Sequence, residues 1–390
     1  MADPDSNTAA VLYGINDLRV HQWELPKELA AGHVRVQMSN VGICGSDVHY
    51  LQHGRIGDFV VDAPMVIGHE SSGVVAAVGP GVTRLAVGDR VALEPGAPCW
   101  HCKAAREGRY NLDPDIQFFA TPPVHGSLAS FVDHPAELCY KLPASVTLEE
   151  GAMCEPLSVG VHACRRAQVQ PGKSVAVLGA GPIGLVVLMC AQAFGADQVV
   201  ITDVRQSCLD FAAQHYAATT LLTTPQQTPS DLAQQLQHTL AAAAAGADPT
   251  PAAATAAGVQ PDIVIDCVGV QQTLEAAVRA VAPGGKIVLV GMGSEQLQLP
   301  ATLLTCKEVD LLGSFRYCNT YPLCISLIAS KRVHVAPMIT HRFPFSAAGV
   351  AEGFDTAARA AQTGAIKVMF DLQQQQQQQQ QEEEEEVREQ

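Results

Sequence analysis

The stretch Gly179–Gly184, GAGPIG, has the G-x-G-x-x-G spacing of a dinucleotide-binding turn. Ser174–Leu178 before it reads as a strand, and the apolar run after Pro182 reads as a helix. In that setting each glycine has a task. Gly179 permits the tight turn, Gly181 lets backbone approach a pyrophosphate, and Gly184 lets helix and strand pack closely. The helix N-terminus adds N–H groups and the positive end of a dipole. Asp203 follows Gly184 by 19 residues, at the end of the next strand-like run, where a carboxylate accepts hydrogen bonds from a ribose. Its charge repels the 2′-phosphate of NADP, so NAD is the expected cofactor, and Arg205 is read as a solvated loop charge. A second group offers metal chemistry. Cys44 lies in GICGSD and His69-Glu70 in GHESSG, and thiolate, imidazole and carboxylate form the ligand set of an open catalytic zinc site. Taken singly, a buried Cys and a turn His are ordinary structural residues, and spacing alone does not bring the three together.

The elements that must hold these residues follow two rhythms. The first third is β-like and glycine-rich, as in a small barrel, and Val34, Val36 and Met38 alternate with Arg35, Gln37 and Ser39. That period of two predicts a half-buried strand. The middle third carries six apolar runs: Ser174–Leu178, Gln198–Thr202, Thr219–Leu222, Asp262–Asp266, Lys286–Val290 and Val309–Gly313. Helix-length segments separate them, which predicts an α/β domain with a doubly wound parallel sheet. After Ser314 the pattern is mixed again, and the chain is expected to return to the first domain. Ala241–Gly258 is an alanine run in which Pro249 and Pro251 forbid a continuous helix, so a surface insertion is expected. Residues 373–390, rich in Gln and Glu, are expected to be a disordered tail.

Composition bounds the function. The chain has 390 residues, 47% hydrophobic and 16% charged, with a formal charge of −15. That is a globular composition of two or three domains, and its acidity argues against nucleic acid or an anionic membrane as partner. Met1–Ala10 has neither the basic nor the apolar region of a secretion signal, and the 12 cysteines are scattered rather than framed as disulfides. Most of them read as small buried thiols of a reduced, cytoplasmic protein. Ser174–Ala196 is uncharged for 23 residues, but its glycine turn and Pro182 fit a buried strand feeding a helix rather than a membrane span.

With these motifs the sequence resembles the zinc-containing medium-chain alcohol dehydrogenases, through Gly68-His69-Glu70-x-x-Gly73, Gly79 and Val82. Further motifs narrow the resemblance to the sorbitol dehydrogenase group: GICGSDVHY (42–50), GRIG (54–57), EPGAP (94–98), GRYNL (108–112), ATPP (120–123), EPLSVGVHACRR (155–166), SFRYCNT (314–320) and HRFP (341–344). The resemblance implies a GroES-like catalytic domain, residues 1–157 plus 315–371, and a Rossmann domain, residues 158–314. It implies Cys44, His69 and Glu70 as zinc ligands, with Glu155 completing the coordination or contacting the metal's water. Ser46 and His49 match a proton path, and Tyr50, Phe118, Arg316 and Tyr317 match substrate-lining positions. Ile183, Val290, Gly291, Met292, Phe315 and Arg316 join the glycines and Asp203 as cofactor positions.

The expected reaction is reversible NAD-linked oxidation of a polyol, such as sorbitol or xylitol, to the ketose, in a homotetramer. The rival expectations are a threonine- or diol-type substrate and, on the same fold, a non-catalytic nucleotide-binding protein. Many relatives hold a second zinc through C-x2-C-x2-C-x7-C. Here Cys99 and Cys102 keep the first two positions, while Ala105 and Asp113 stand at the others. One zinc per chain is therefore expected, because structural sites are four-coordinate and sulfur-rich.

Overall fold

The computed structural model describes residues 7–245 and 259–373. Residues 246–258 of the alanine run and 374–390 of the tail lie outside the described residues. The chain divides into two compact units, Met1–Glu155 with Tyr321–Lys331 and Val335–Gln390, and Pro156–Thr320 with Arg332–His334.

The second unit is a six-stranded parallel sheet. Across the sheet the strands run Thr219–Leu222, Gln198–Asp203, Ser174–Leu178, Ile263–Asp266, Lys286–Leu289, Asp310–Gly313. Counted in chain order this is 3-2-1-4-5-6. Val175, Ala176, Val177 and Leu178 have no exposed surface, as a strand covered by helices on both faces requires. The order reverses between Ser174–Leu178 and Ile263–Asp266, and ligands of such sheets bind beyond the carboxyl ends at that point. The helix Pro229–Ala245 packs Leu232, Leu236 and Leu240 inward at a spacing of four. It also runs into the expected insertion. Ala241 is buried and the helix holds to Ala245, because alanine favours helix and the prolines come later.

The first unit is built on a seven-stranded sheet around His33–Gly42. Glu70–Val78 pairs with one edge of that strand; Phe131–Pro135 pairs along residues 33–37 and Lys367–Asp371 along residues 40–42 of the other. Arg90–Leu93 and Cys139–Lys141 extend the sheet on one side and Ile339–Pro344 on the other. His33–Gly42 is not half-buried as its alternation predicts. Arg35 and Ser39 are buried with the valines, because the strand is central and Arg35 pairs with Asp133 at 2.7 Å. An ion pair there compensates burial of the guanidinium.

All twelve cysteines are free thiols, and Cys139, Cys154, Cys164, Cys190, Cys208 and Cys324 are buried. Cys267 and Cys318 are only half-buried, and Cys306 departs furthest from the buried expectation. It is exposed because its short helix, Ala301–Cys306, buries none of its residues. No described helix is long and apolar enough to cross a membrane.

Candidate active site

Sheet pairing gathers the metal donors. His33–Gly42 ends beside Cys44, which precedes the helix Gly45–His53, while Glu70 opens the neighbouring strand directly opposite Gly42. Gly68, at φ 92°, makes the turn that presents His69. The result is a cluster in which one ligand atom from each of Cys44, His69 and Glu70 lies within 4.8 Å of the others. Gly42 has no side chain for a steric reason: a Cβ there would stand 2.3 Å from Glu70 Oε2. The donors fit zinc. Glu70 Oε2 and His69 Nδ1 are buried polar atoms without hydrogen-bond partners, and a cation at the cluster satisfies the carboxylate oxygen.

Two further charges hold the ligands. Lys367 Nζ donates to Glu70 Oε1 at 2.6 Å and to the Ile43 carbonyl at 3.0 Å, from a side chain only 3% exposed. Burial opposes its charge, but Glu70 and Cys44 outweigh burial and raise its pKa. Buried Asp47 accepts from the Cys44 N–H at 2.9 Å and the Gly68 N–H at 3.3 Å. Its Oδ1 stands 3.3 Å from His69 Nδ1, close enough for charge attraction though outside hydrogen-bond geometry. Burial pushes His69 toward neutrality, yet Asp47 and Cys44 lift its pKa well above the ordinary value.

The other expected residues differ in burial and in their neighbours. Glu155, buried in the first turn of the helix Cys154–Ala167, is not one of the three converging donors, though its charge reaches Lys367. Ser46, His49 and Tyr50 share one face of the helix Gly45–His53. Tyr50 is buried, Ser46 half-buried and His49 exposed, its ring stacked 4.3 Å from that of His53. Phe118 is buried, with its ring centroid 6.0 Å from that of His69. In the second unit Arg316 has a left-handed backbone, φ 49°, with its guanidinium 4.9 Å over the Phe315 ring, and Tyr317 is buried.

The dinucleotide turn has the expected geometry in detail. Gly179 sits at φ 96°, and a Cβ on Gly184 would lie 1.7 Å from the Gly179 carbonyl oxygen. Gly181 caps the helix Pro182–Ala193, with nothing within 4 Å of a Cβ placed there. Asp203 accepts the Ala180 N–H and the Arg205 N–H, each at 2.8 Å, so its carboxylate stands beside the glycine turn. The Val290 and Gly291 N–H groups both bond the Asp266 carbonyl at 2.9 Å, whereas Met292 is 78% exposed. Ile183 follows Pro182 in the first turn of the helix.

Comparison with known proteins agrees with both halves. Residues 30–144 match the model of the alcohol dehydrogenase GroES-like domain, and residues 182–330 match that of the zinc-binding dehydrogenases. A sorbitol dehydrogenase of Arabidopsis thaliana is 50% identical over 369 residues, 94% of this chain and 96% of the relative. An L-idonate 5-dehydrogenase of Vitis vinifera is 45% identical, over 94% of this chain and 95% of the relative. Among solved structures, an Escherichia coli oxidoreductase of unknown specificity superposes with a TM-score of 0.82 at 33% identity, covering 94% of this chain and 99% of that one. The chain belongs to the sorbitol dehydrogenase family. It is a zinc-dependent polyol dehydrogenase of medium-chain architecture that uses a nicotinamide cofactor.

The contacts around the cluster bring in two residues that sequence reading left without a role. Lys367 is a lone cation in the apolar run IKVMF, which signals a buried partner but not which one. Asp47 lies three residues after Cys44 and passes for a helix-start carboxylate. The family's second-zinc positions also come together here: Cys99, Cys102 and Asp113 have donor atoms within 4.8 Å of one another.

Proposed function

We propose that the chain oxidises a polyol, such as sorbitol or xylitol, to the ketose, reversibly and with NAD, using one zinc held by Cys44, His69 and Glu70. The observation that carries this reading is the convergence of those three donors to within 4.8 Å, with Glu70 already oriented by Lys367. When bound, zinc acidifies the alcohol and the nicotinamide accepts its carbinol hydride.

The chain's own residues do the rest. Lys367 fixes one oxygen of Glu70 and leaves the other for the metal, while Asp47 orients His69, as carboxylates behind metal-bound imidazoles do. Ser46 receives the hydroxyl proton and passes it to His49, whose exposed ring delivers it to water. Glu155 acts behind the three ligands on water rather than as a fourth ligand. Tyr50, Phe118, Tyr317 and the several donors of Arg316 bind the polyol. Gly179, Gly181, Ile183 and Gly184 cradle the pyrophosphate; Val290, Gly291, Met292, Phe315 and Arg316 line the cofactor. Asp203 binds the ribose hydroxyls and repels a 2′-phosphate, which selects NAD. The relatives' names, sorbitol and L-idonate dehydrogenase, support a polyhydroxylated substrate. We further propose a homotetramer in the cytoplasm.

The test is a substrate panel. Sorbitol, xylitol, ribitol, arabinitol, L-idonate, threonine and 2,3-butanediol are assayed with NAD and with NADP. The highest kcat/KM is expected for a polyol with NAD, and Asp203→Ala should narrow the NAD preference. A highest value for L-idonate, threonine or the diol overturns the substrate assignment. Metal analysis of dialysed protein is expected to give one zinc per chain, lost in Cys44→Ser.

A further inference from the structure

In the lobe that carries Cys99 and Cys102, Asp113 is a hydrogen-bond hub for the backbone. Asp113 Oδ2 accepts the Cys99 N–H at 2.5 Å, and Oδ1 accepts the Asp115 N–H at 3.0 Å. Burial works to raise the Asp113 pKa, but these N–H groups and the two thiols outweigh it and hold the carboxyl low. Both carboxylate oxygens thus tie the backbone of the lobe together, and the Cys99 and Cys102 thiols lie against the same carboxylate. Trp100 takes a left-handed backbone, φ 60°, and so turns Cys102 back toward Cys99. Their sulfurs lie within 4.8 Å, and each accepts a backbone N–H at 3.3 Å, from Cys102 onto Cys99 and from Ala105 onto Cys102. Both thiols are half-buried. Burial pushes the thiols of Cys154 and Cys164 far above their ordinary pKa. The Cys102 thiol is also raised: the Ala105 N–H works to lower it, but desolvation, Cys99 and the Asp113 carboxylate beside it disfavour a second negative charge and outweigh that bond. What sets this pair apart from buried Cys154 and Cys164 is therefore access and the neighbouring sulfur. Arg106 and Arg109 follow in the same lobe and are exposed, as is Lys103, which stands 3.8 Å from Glu107, so the two arginines are the groups that would attract an anionic reagent.

We propose that Cys99 and Cys102 form a thiol–disulfide exchange site whose oxidant is an anionic low-molecular-weight disulfide, RSSR. One thiolate attacks a sulfur of RSSR and expels RS−, giving a mixed disulfide. The second thiolate attacks the protein sulfur of that bond and expels the other RS−. The cysteines lose two electrons and two protons, and RSSR leaves as two RSH. The ring closed by C-x2-C is short, so it removes little chain entropy and does not act as a staple. It opens again on reduction.

The test uses the full-length, zinc-loaded protein equilibrated in mixtures of reduced and oxidised glutathione, with peptide mapping of the alkylated product. The 99–102 peptide is expected to lose both alkylation sites and two hydrogens under oxidising mixtures, and dithiothreitol should restore them. Cys102→Ser should instead trap glutathione on Cys99, and Cys99→Ser should trap it on Cys102. Trp100 follows Cys99 in the chain and is 58% exposed, so its fluorescence should fall on oxidation and recover on reduction. Two outcomes overturn the proposal. One is a 99–102 peptide that stays fully alkylated while glutathione is mostly oxidised. The other is a second tightly held zinc, lost in either single variant, because the sulfurs would then be metal ligands.

Discussion

Lys367 and Glu70 form a fully buried ion pair, 3% and 1% exposed, whose value lies in what its loss would uncover. Removing one member of such a pair strands the other charge and costs about 3–5 kcal/mol. Lys367→Met should therefore lower the unfolding free energy by about that amount in chelator-stripped protein, read from urea denaturation. In zinc-loaded protein the loss should shrink, because the metal then neutralises the stranded carboxylate. Equal losses in both states would mean that Lys367 contributes packing alone. The residue also marks a limit of sequence reading. Glu70 and its partner are 297 positions apart, and no local pattern links them. Cys44, His69 and Glu70 were legible as a ligand set by residue type and by resemblance, whereas their convergence depends on strand pairing across residues 33–42, 70–78 and 367–371.

At the level of elements, the strand–turn–helix Ser174–Ala193 was the most legible part, because its signal is local. Its strand has the expected bounds, and the other five parallel strands fall within one residue of theirs at each end. Hydrophobic runs report burial on both faces directly. The first unit was harder, since a central strand such as His33–Gly42 hides its charged residues in long-range pairs like Arg35–Asp133. The glycine turn allows packing and binding to be separated experimentally. Gly184→Ala places a Cβ 1.7 Å from a backbone oxygen, so the thermal midpoint and NAD affinity should both fall. Gly181→Ala meets nothing within 4 Å, so the midpoint should hold while NAD affinity drops by tenfold or more, about 1.4 kcal/mol. A Gly181→Ala protein with parent affinity would remove this glycine from the pyrophosphate site.

Whole-molecule stability should carry the mark of His134, buried in the strand Phe131–Pro135 with its Nε2 2.8 Å from the Glu94 carbonyl oxygen. Burial pushes its pKa from 6.5 down to about 4. Between those values the unfolded chain binds a proton that the fold refuses, so stability is full above pH 6.5 and falls as the pH drops toward 4. The slope for one proton is at most about 1.4 kcal/mol per pH unit, and His134→Gln should remove it from the urea-derived stability profile. Buried Glu94, raised by burial, acts with the opposite sign in both proteins, so the difference in slope isolates His134. Identical slopes would refute the assignment. The C-terminal boundary is a second whole-chain question. The tail was expected to begin at Gln373, yet Gln373 donates through Nε2 to Ser39 Oγ at 2.9 Å, and Leu372, 1% exposed, donates its N–H to the Ser39 carbonyl at 3.0 Å. The fold therefore extends through Gln373, and a chain ending there should keep the parent kcat and thermal midpoint. Ending at Asp371 should cost about 2–3 kcal/mol, the worth of one buried leucine, because the strand Lys367–Asp371 loses its anchor to Ser39. If removing residues 374–390 alone lowers the midpoint by a comparable amount, the Gln/Glu segment binds the fold despite having no apolar side chain except Val387.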